Sequence, residues 1–171
     1  KRVQEELRIT LAEKQLEAVR ESLDKKVMVI TGGPGTGKTT IINTIIRIYS
    51  TSGQRVLLAA PTGRAAKRMS EATGFEAKTI HRLLEFSPKD GGFRKNEHER
   101  LDADLIIIDD IDEKGDMLDI IEKKIQTLTH DILPAGSRDV AVIGIENLVH
   151  YHSIFKRIVG SKVDFLHERI V

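Results

Sequence analysis

Apolar residues along this chain follow two rhythms that alternate, one of helical period and one of short unbroken runs. Leu11, Ala18, Val19 and Ser22 or Leu23 recur at helical spacing. Thr10-Leu11-Ala12-Glu13 has the hydroxyl-to-carboxylate spacing of a capping box, so a helix is expected over about 11–24. Val27-Met28-Val29-Ile30 is short, apolar and rich in β-branched residues, as a strand buried on both faces reads. Ile41, Ile42, Ile45, Ile46 and Tyr49 then give a helical stripe ending near Gly53. Arg55 to Ala60 predicts a second buried strand, Gly63 to Thr73 a helix, and Thr79 to Phe86 a shorter one. Asp90 to Gly92 and the polar residues to Arg100 predict a loop or a protruding hairpin, and Leu105 to Ile108 a third strand. Met117, Leu118, Ile121, Ile125, Leu128 and Ile132 share one helical face, which Pro134 is expected to stop. Val140 to Ile145 reads as a fourth strand, Tyr151 to Val159 as a helix, and Val163 to Leu166 as a last short strand.

Strands alternating with helices predict an α/β fold with a mostly parallel sheet flanked by helices. The 171 residues suffice for one domain with a proper core, and no repeat or low-complexity linker divides them. No apolar run approaches the roughly 20 residues of a membrane span, and no signal-like start precedes the first helix. The absence of cysteine excludes disulfides, thiolate metal sites and cysteine nucleophiles, and fits a reducing, cytoplasmic setting. Lys1 in place of Met suggests a trimmed fragment. A net charge of +1 says little as a total. The stretch from 64 to 82 is basic, with Arg64, Lys67, Arg68, Lys78, His81 and Arg82 against only Glu71 and Glu76. Charge alone leaves two readings open for it: a surface that meets phosphates, or a solvated helix face.

The strongest chemical signal lies between the first strand and the second helix. Gly32-Gly33-Pro34-Gly35-Thr36-Gly37-Lys38-Thr39 fills every position of the pattern G-x-x-x-x-G-K-[ST]. Glycines let backbone N–H groups converge on phosphate oxygens where side chains would collide, and a helix starting near Lys38 adds its positive dipole end. Lys38 is then expected to reach the β and γ phosphates of ATP, and the Thr39 hydroxyl to ligate Mg2+. Leu105-Ile106-Ile107-Ile108-Asp109-Asp110 puts two carboxylates at the carboxyl end of a buried strand, the edge that faces the nucleotide in such folds. Asp109 is expected to hold the metal through water, and Asp110 to orient or deprotonate the attacking water. The competing reading of the acidic pair is a solvent-facing turn. His150 and His152 flank Tyr151, but further ligands at suitable spacing are lacking, so no metal site is expected there. Tyr151, Phe155 and Phe165 read as core.

From Ile9 to Asp110 the chain resembles the first RecA-like motor domain of RecD-like superfamily 1 DNA helicases, the exodeoxyribonuclease V alpha-subunit family. Four blocks carry the likeness: Leu11-Ala12-Glu13-Lys14-Gln15, Gly32 through Thr40, Ala60-Pro61-Thr62-Gly63-Arg64-Ala65-Ala66, and Thr79-Ile80-His81-Arg82-Leu83-Leu84. The resemblance implies that Gln15 contacts adenine, that Gly33, Pro34, Gly35, Thr36, Gly37, Lys38, Thr39 and Thr40 hold the phosphates, and that Thr62, Arg64, His81 and Arg82 lie along single-stranded DNA. It divides 1–171, read as a single P-loop NTPase domain, into an N-terminal helical segment with the adenine-side motif (1–24), a helicase-like core (25–112) and a divergent C-terminal part (113–171). The family usually has Asp-Glu where this chain has Asp109-Asp110, and its next motif of Gly-Asp and a glutamine meets only Ile143-Gly144-Ile145-Glu146-Asn147. The second motor domain, which carries the arginine finger and further DNA motifs, has no counterpart in these residues. Single-stranded DNA is therefore expected to bind weakly. Two functions stay open: an ATP-hydrolysing helicase motor domain, and a nucleotide-dependent regulatory or binding module with little hydrolysis. A third, a kinase sharing only the phosphate cradle, is disfavoured by the Pro-Thr-Gly-Arg block.

Overall fold

A computed structural model of the chain describes residues 5, 8–33, 35–109, 123, 126–136, 139–146 and 166–169. Helix α1 (Glu13–Asp24) leads into strand β1 (Val27–Thr31), and helix α2 (Lys38–Thr51) into β2 (Val56–Ala60). Helix α3 (Gly63–Thr73), the short strand β3 (Ala77–Thr79) and helix α4 (Ile80–Leu83) follow. A small antiparallel hairpin, β4 (Phe86–Ser87) with β5 (Gly92–Phe93), precedes β6 (Leu105–Asp109). A π-helical turn (Thr127–Ile132) runs into α5 (Leu133–Ala135), then β7 (Ala141–Glu146) and β8 (Leu166–Arg169).

Six strands form one sheet in the order β3-β2-β6-β7-β1-β8, every neighbouring pair parallel. Because strand side chains alternate between faces, the apolar runs feed two cores. Val29, Ala59, Ile106, Ile108 and Val142 pack on one face with Ile80, Leu83, Ile132 and Ala135. Met28, Ile30, Leu58, Leu105, Ile107, Ile143 and Ile145 pack on the other with Ala18, Val19, Ile41, Ile45, Ile46 and Met69. Full burial of one such aliphatic side chain is worth about 1.5–3 kcal/mol. The wholly buried run Leu105-Ile106-Ile107-Ile108 therefore anchors the sheet and carries Asp109 at its end.

Three expectations need correction, and one strand was not foreseen. Helix α1 starts two residues later than the Thr10–Glu13 spacing suggests: Ala12 is its N-cap, and Gln15 at the third helical position accepts from the Ala12 N–H. Ala12 has no side-chain oxygen, so this is half of a capping box. The helix expected over 79–86 is cut to four residues, because Glu85 takes a left-handed backbone (φ 54°) and turns the chain into the hairpin. Strand β3 went unanticipated. Pro134 does not stop the helical stretch at once: it lies where the π-helical turn passes into α5, and the helix ends one residue later, before the extended Gly136. The expected helix over 151–159, residues 163–165 of the last strand and all of the face from Met117 to Ile125 lie outside the described residues, as do Tyr151, Phe155, Phe165 and the histidines at 150 and 152.

Candidate nucleotide site

Parallel strands deliver their carboxyl ends to one edge of the sheet, and the sequence motifs converge there. In register, Asp109 of β6 is level with Ile145 of β7, which is level with Ile30 of β1. The glycine-rich loop leaves β1 just beyond that point, so it and Asp109 share one edge with only β7 between their strands.

Gly35 (φ 80°) and Gly37 (φ 79°) hold the loop in left-handed backbone that a side chain resists. Gly37 is the N-cap of α2, whose 14 residues point their N-terminal end at the loop. A Cβ added at Gly33 or Gly35 would meet nothing within 4 Å, so the space beside these backbone groups is open. Thr36 closes the turn on Gly33: its N–H (3.4 Å) and its hydroxyl (2.8 Å) both donate to the Gly33 carbonyl. The Lys38 ammonium donates to the carbonyls of Gly32 (2.6 Å) and Gly33 (2.8 Å). Partial burial pulls the Lys38 pKa below the ordinary lysine value, while the Asp109 carboxylate pushes the other way. The lysine is folded back on its own loop at the N-terminal end of α2, a cationic group beside helix-end N–H groups whose chemistry suits phosphate oxygens. Thr39 is exposed on the first turn of α2 and Asp109 is half-buried at the end of β6. Both offer oxygen, the donor type that suits Mg2+. Thr40 is half-buried, and its carbonyl accepts from the Thr44 hydroxyl at 2.7 Å. Pro34 and Asp110 lie outside the described residues.

Gln15 reaches this loop from α1. Its Nε2 donates to the Thr36 carbonyl at 3.0 Å, a contact across 21 positions that no spacing pattern encodes.

The two other blocks meet at the same edge. Thr62 caps α3, its hydroxyl accepting from the Ala65 N–H at 3.2 Å, and Thr79 caps α4 by accepting from the Arg82 N–H at 3.2 Å. Ala60 and Thr79 are register partners on β2 and β3, so both helices start side by side, on opposite faces of the sheet. Arg64, His81 and Arg82 are exposed there, and the two arginines form no ion pair among the described residues. The His81 ring meets Phe86 and Phe93 edge-on at 5.5 and 5.6 Å, and the two phenylalanines lie 5.5 Å apart. This three-ring cluster, which packs the hairpin against α4, was missed from sequence because a helix was expected to run to Phe86, and the turn at Glu85 that gathers the rings was not foreseen. Among the described residues no group of three or more His, Asp or Glu side chains is gathered for a metal, and no helix is long and apolar enough to cross a membrane.

A parallel sheet with a Gly-Lys-Thr loop after β1 and an acidic residue ending β6 defines a P-loop NTPase fold. The chain matches the AAA domain family over residues 15–144 and belongs to it. It is 42% identical over 108 residues to the ATP-dependent RecD2 DNA helicase of Deinococcus radiodurans, a match covering 63% of this chain and 15% of that protein. It is 35% identical over 122 residues to the RecBCD enzyme subunit RecD of Mycolicibacterium smegmatis, covering 57% of this chain and 22% of that one. These relatives bear out the RecD-like superfamily 1 resemblance, and the chain spans less than a quarter of their length. Among solved structures it is similar in fold to the Pif1 helicase from Candida albicans (TM-score 0.56, 19% identity, 94% of this chain and 40% of that one). A Bacteroides Pif1 bound to single-stranded DNA matches comparably (TM-score 0.51, 23% identity, 95% and 43%).

Proposed function

We propose that this chain is an ATP-binding and ATP-hydrolysing motor domain of a RecD-like DNA helicase, formed as a single P-loop domain. The observation that carries the reading is the shared sheet edge: the Gly35–Lys38 loop, Asp109, and the paired starts of α3 and α4. In this reading Gly33 through Thr40 hold the phosphates, and Lys38 leaves its loop carbonyls to neutralise the β and γ groups. Gln15 meets the adenine. Mg2+, held by Thr39 and by Asp109 through water, would offset charge on the phosphates. Asp110 orients the attacking water, and its carboxylate is one methylene shorter than the glutamate usual in the family. A shift of about 1 Å in such a group can cost on the order of a hundredfold in rate. Thr62, Arg64, His81 and Arg82 form the contact to single-stranded DNA. With a few phosphate contacts, its affinity falls near the non-specific range, about 10⁻⁴ to 10⁻⁶ M. The proposed partners are that DNA and a second motor domain or further helicase subunits, and the proposed setting is cytoplasmic. Alone, residues 1–171 are not expected to separate strands, because a step requires a cleft closing between two such domains.

The shortened carboxylate at Asp110 favours a second reading, a nucleotide-dependent regulatory module. ATP turnover with and without single-stranded oligonucleotide separates the two. A motor domain is stimulated by DNA. Arg64→Ala weakens that stimulation, while Asp110→Asn lowers turnover with nucleotide affinity kept within a few-fold. Intact ATP binding with no turnover, DNA present or absent, contradicts the motor reading and supports the regulatory one.

A further inference from the structure

The Gln15 amide is engaged at both ends. Its Oε1 accepts from the Ala12 N–H at 3.0 Å and its Nε2 donates to the Thr36 carbonyl at 3.0 Å. One partner can only donate and the other can only accept, so the orientation of the amide is fixed by its neighbours. The side chain sits directly on the glycine loop: a Cβ added at Gly37 would lie 2.5 Å from Nε2. The peptide it grips joins Thr36 to Gly37, so a left-handed glycine (φ 79°) follows it directly. In a trans peptide the C=O and the next N–H point in opposite directions. Holding the Thr36 carbonyl toward Gln15 therefore aims the Gly37 N–H away from Gln15. A rotation of this one peptide would exchange the two and turn a carbonyl oxygen to the other side, where it would repel an anion. Such a rotation changes ψ of Thr36 and φ of Gly37, and a glycine tolerates either sign of φ.

We propose that Gln15 is a positioning residue for the phosphate cradle, locking the Thr36–Gly37 peptide in its donor-inward orientation. This rests on the reading of residues 33–40 as the phosphate site and adds to the adenine contact proposed for the same side chain. The amide keeps one N–H and one lone pair, the pair of functions that an amide presents to the N7 and N6 positions of adenine. Base recognition and loop geometry then pass through a single side chain.

Tripolyphosphate, which has no base, separates the two roles. Its affinity with magnesium is measured by titration calorimetry on the 171-residue chain, on Gln15→Ala and on Gln15→Glu, with ATP in parallel. Gln15→Glu keeps an acceptor for the Ala12 N–H, and so the start of α1, but has no donor for Thr36. High salt screens its added charge. Circular dichroism and the ligand-free melting midpoint establish that each variant is folded. One net hydrogen bond predicts that tripolyphosphate binds about 2- to 10-fold more weakly to both variants. If ATP weakens while tripolyphosphate binds a folded variant as it binds the unmutated chain, Gln15 reads the base alone and the proposal is overturned. Lys38→Ala is the control for the site itself: tripolyphosphate binding that survives it, or none to the unmutated chain, overturns the phosphate-site reading and this proposal together.

Discussion

Lys38 stands in two opposing influences, burial that disfavours its charge and the Asp109 carboxylate that favours it, and burial is the larger. The net lowering has a consequence for binding. Bound phosphate favours the charged lysine and raises its pKa, so the complex holds its proton to higher pH than the free protein does. Affinity is then full below the free-protein pKa and falls as pH rises through it, starting on the acidic side of the ordinary lysine value. Tripolyphosphate titrations from neutral to alkaline pH check this, with Lys38→Met expected to bind weakly and without that alkaline fall. An affinity in the unmutated chain that is flat to strongly alkaline pH would show that Lys38 carries no charge to the phosphates. The glycine loop was legible in sequence because its left-handed backbone at Gly35 and Gly37 requires those residues. The link from Gln15 to Thr36 was not legible, because it depends on how the loop folds and not on the spacing of the two residues. Nor did sequence give the resting position of the Lys38 ammonium on the Gly32 and Gly33 carbonyls.

Elements buried on both faces were the most readable. The runs that became β1, β2, β6 and β7 are apolar without interruption, since a central parallel strand meets a core on each side. Strand β3 has only three half-buried residues with Lys78 at its middle, and it lies at the sheet edge, so no apolar run announced it. Helix α3 ran over the expected residues because Thr62 caps its start and Gly74 its end. Helix α4 was overestimated: Leu83 and Leu84 continue its apolar pattern, while the left-handed backbone at Glu85 breaks it, and a glutamate gives no warning of that conformation. With four residues α4 has little besides its cap and its core contacts to hold it. Thr79→Ala is therefore expected to lower stability by about 1 kcal/mol, with Thr79→Ser retaining most of it. Urea denaturation of both variants checks this. Equal losses in both would mean that the threonine methyl, and not the hydroxyl bond to the Arg82 N–H, supports the helix.

One sheet edge collects a phosphate loop, an acidic strand end and two basic helix starts, and relatives of the chain are several times its length. On the proposed reading, what this chain does by itself is bind nucleotide. A ligand that binds only the native state stabilises it by mass action, by about 2.7 kcal/mol at a hundred times its Kd. For a chain of this size that corresponds to a rise of roughly 5–10 °C in Tm. The direct test is thermal unfolding of the 171-residue chain with and without Mg-ATP, beside Lys38→Ala. The account predicts a rise of that order in the unmutated protein and little or none in the variant. An unchanged Tm at millimolar nucleotide in the unmutated protein, or an equal rise in both, would contradict it.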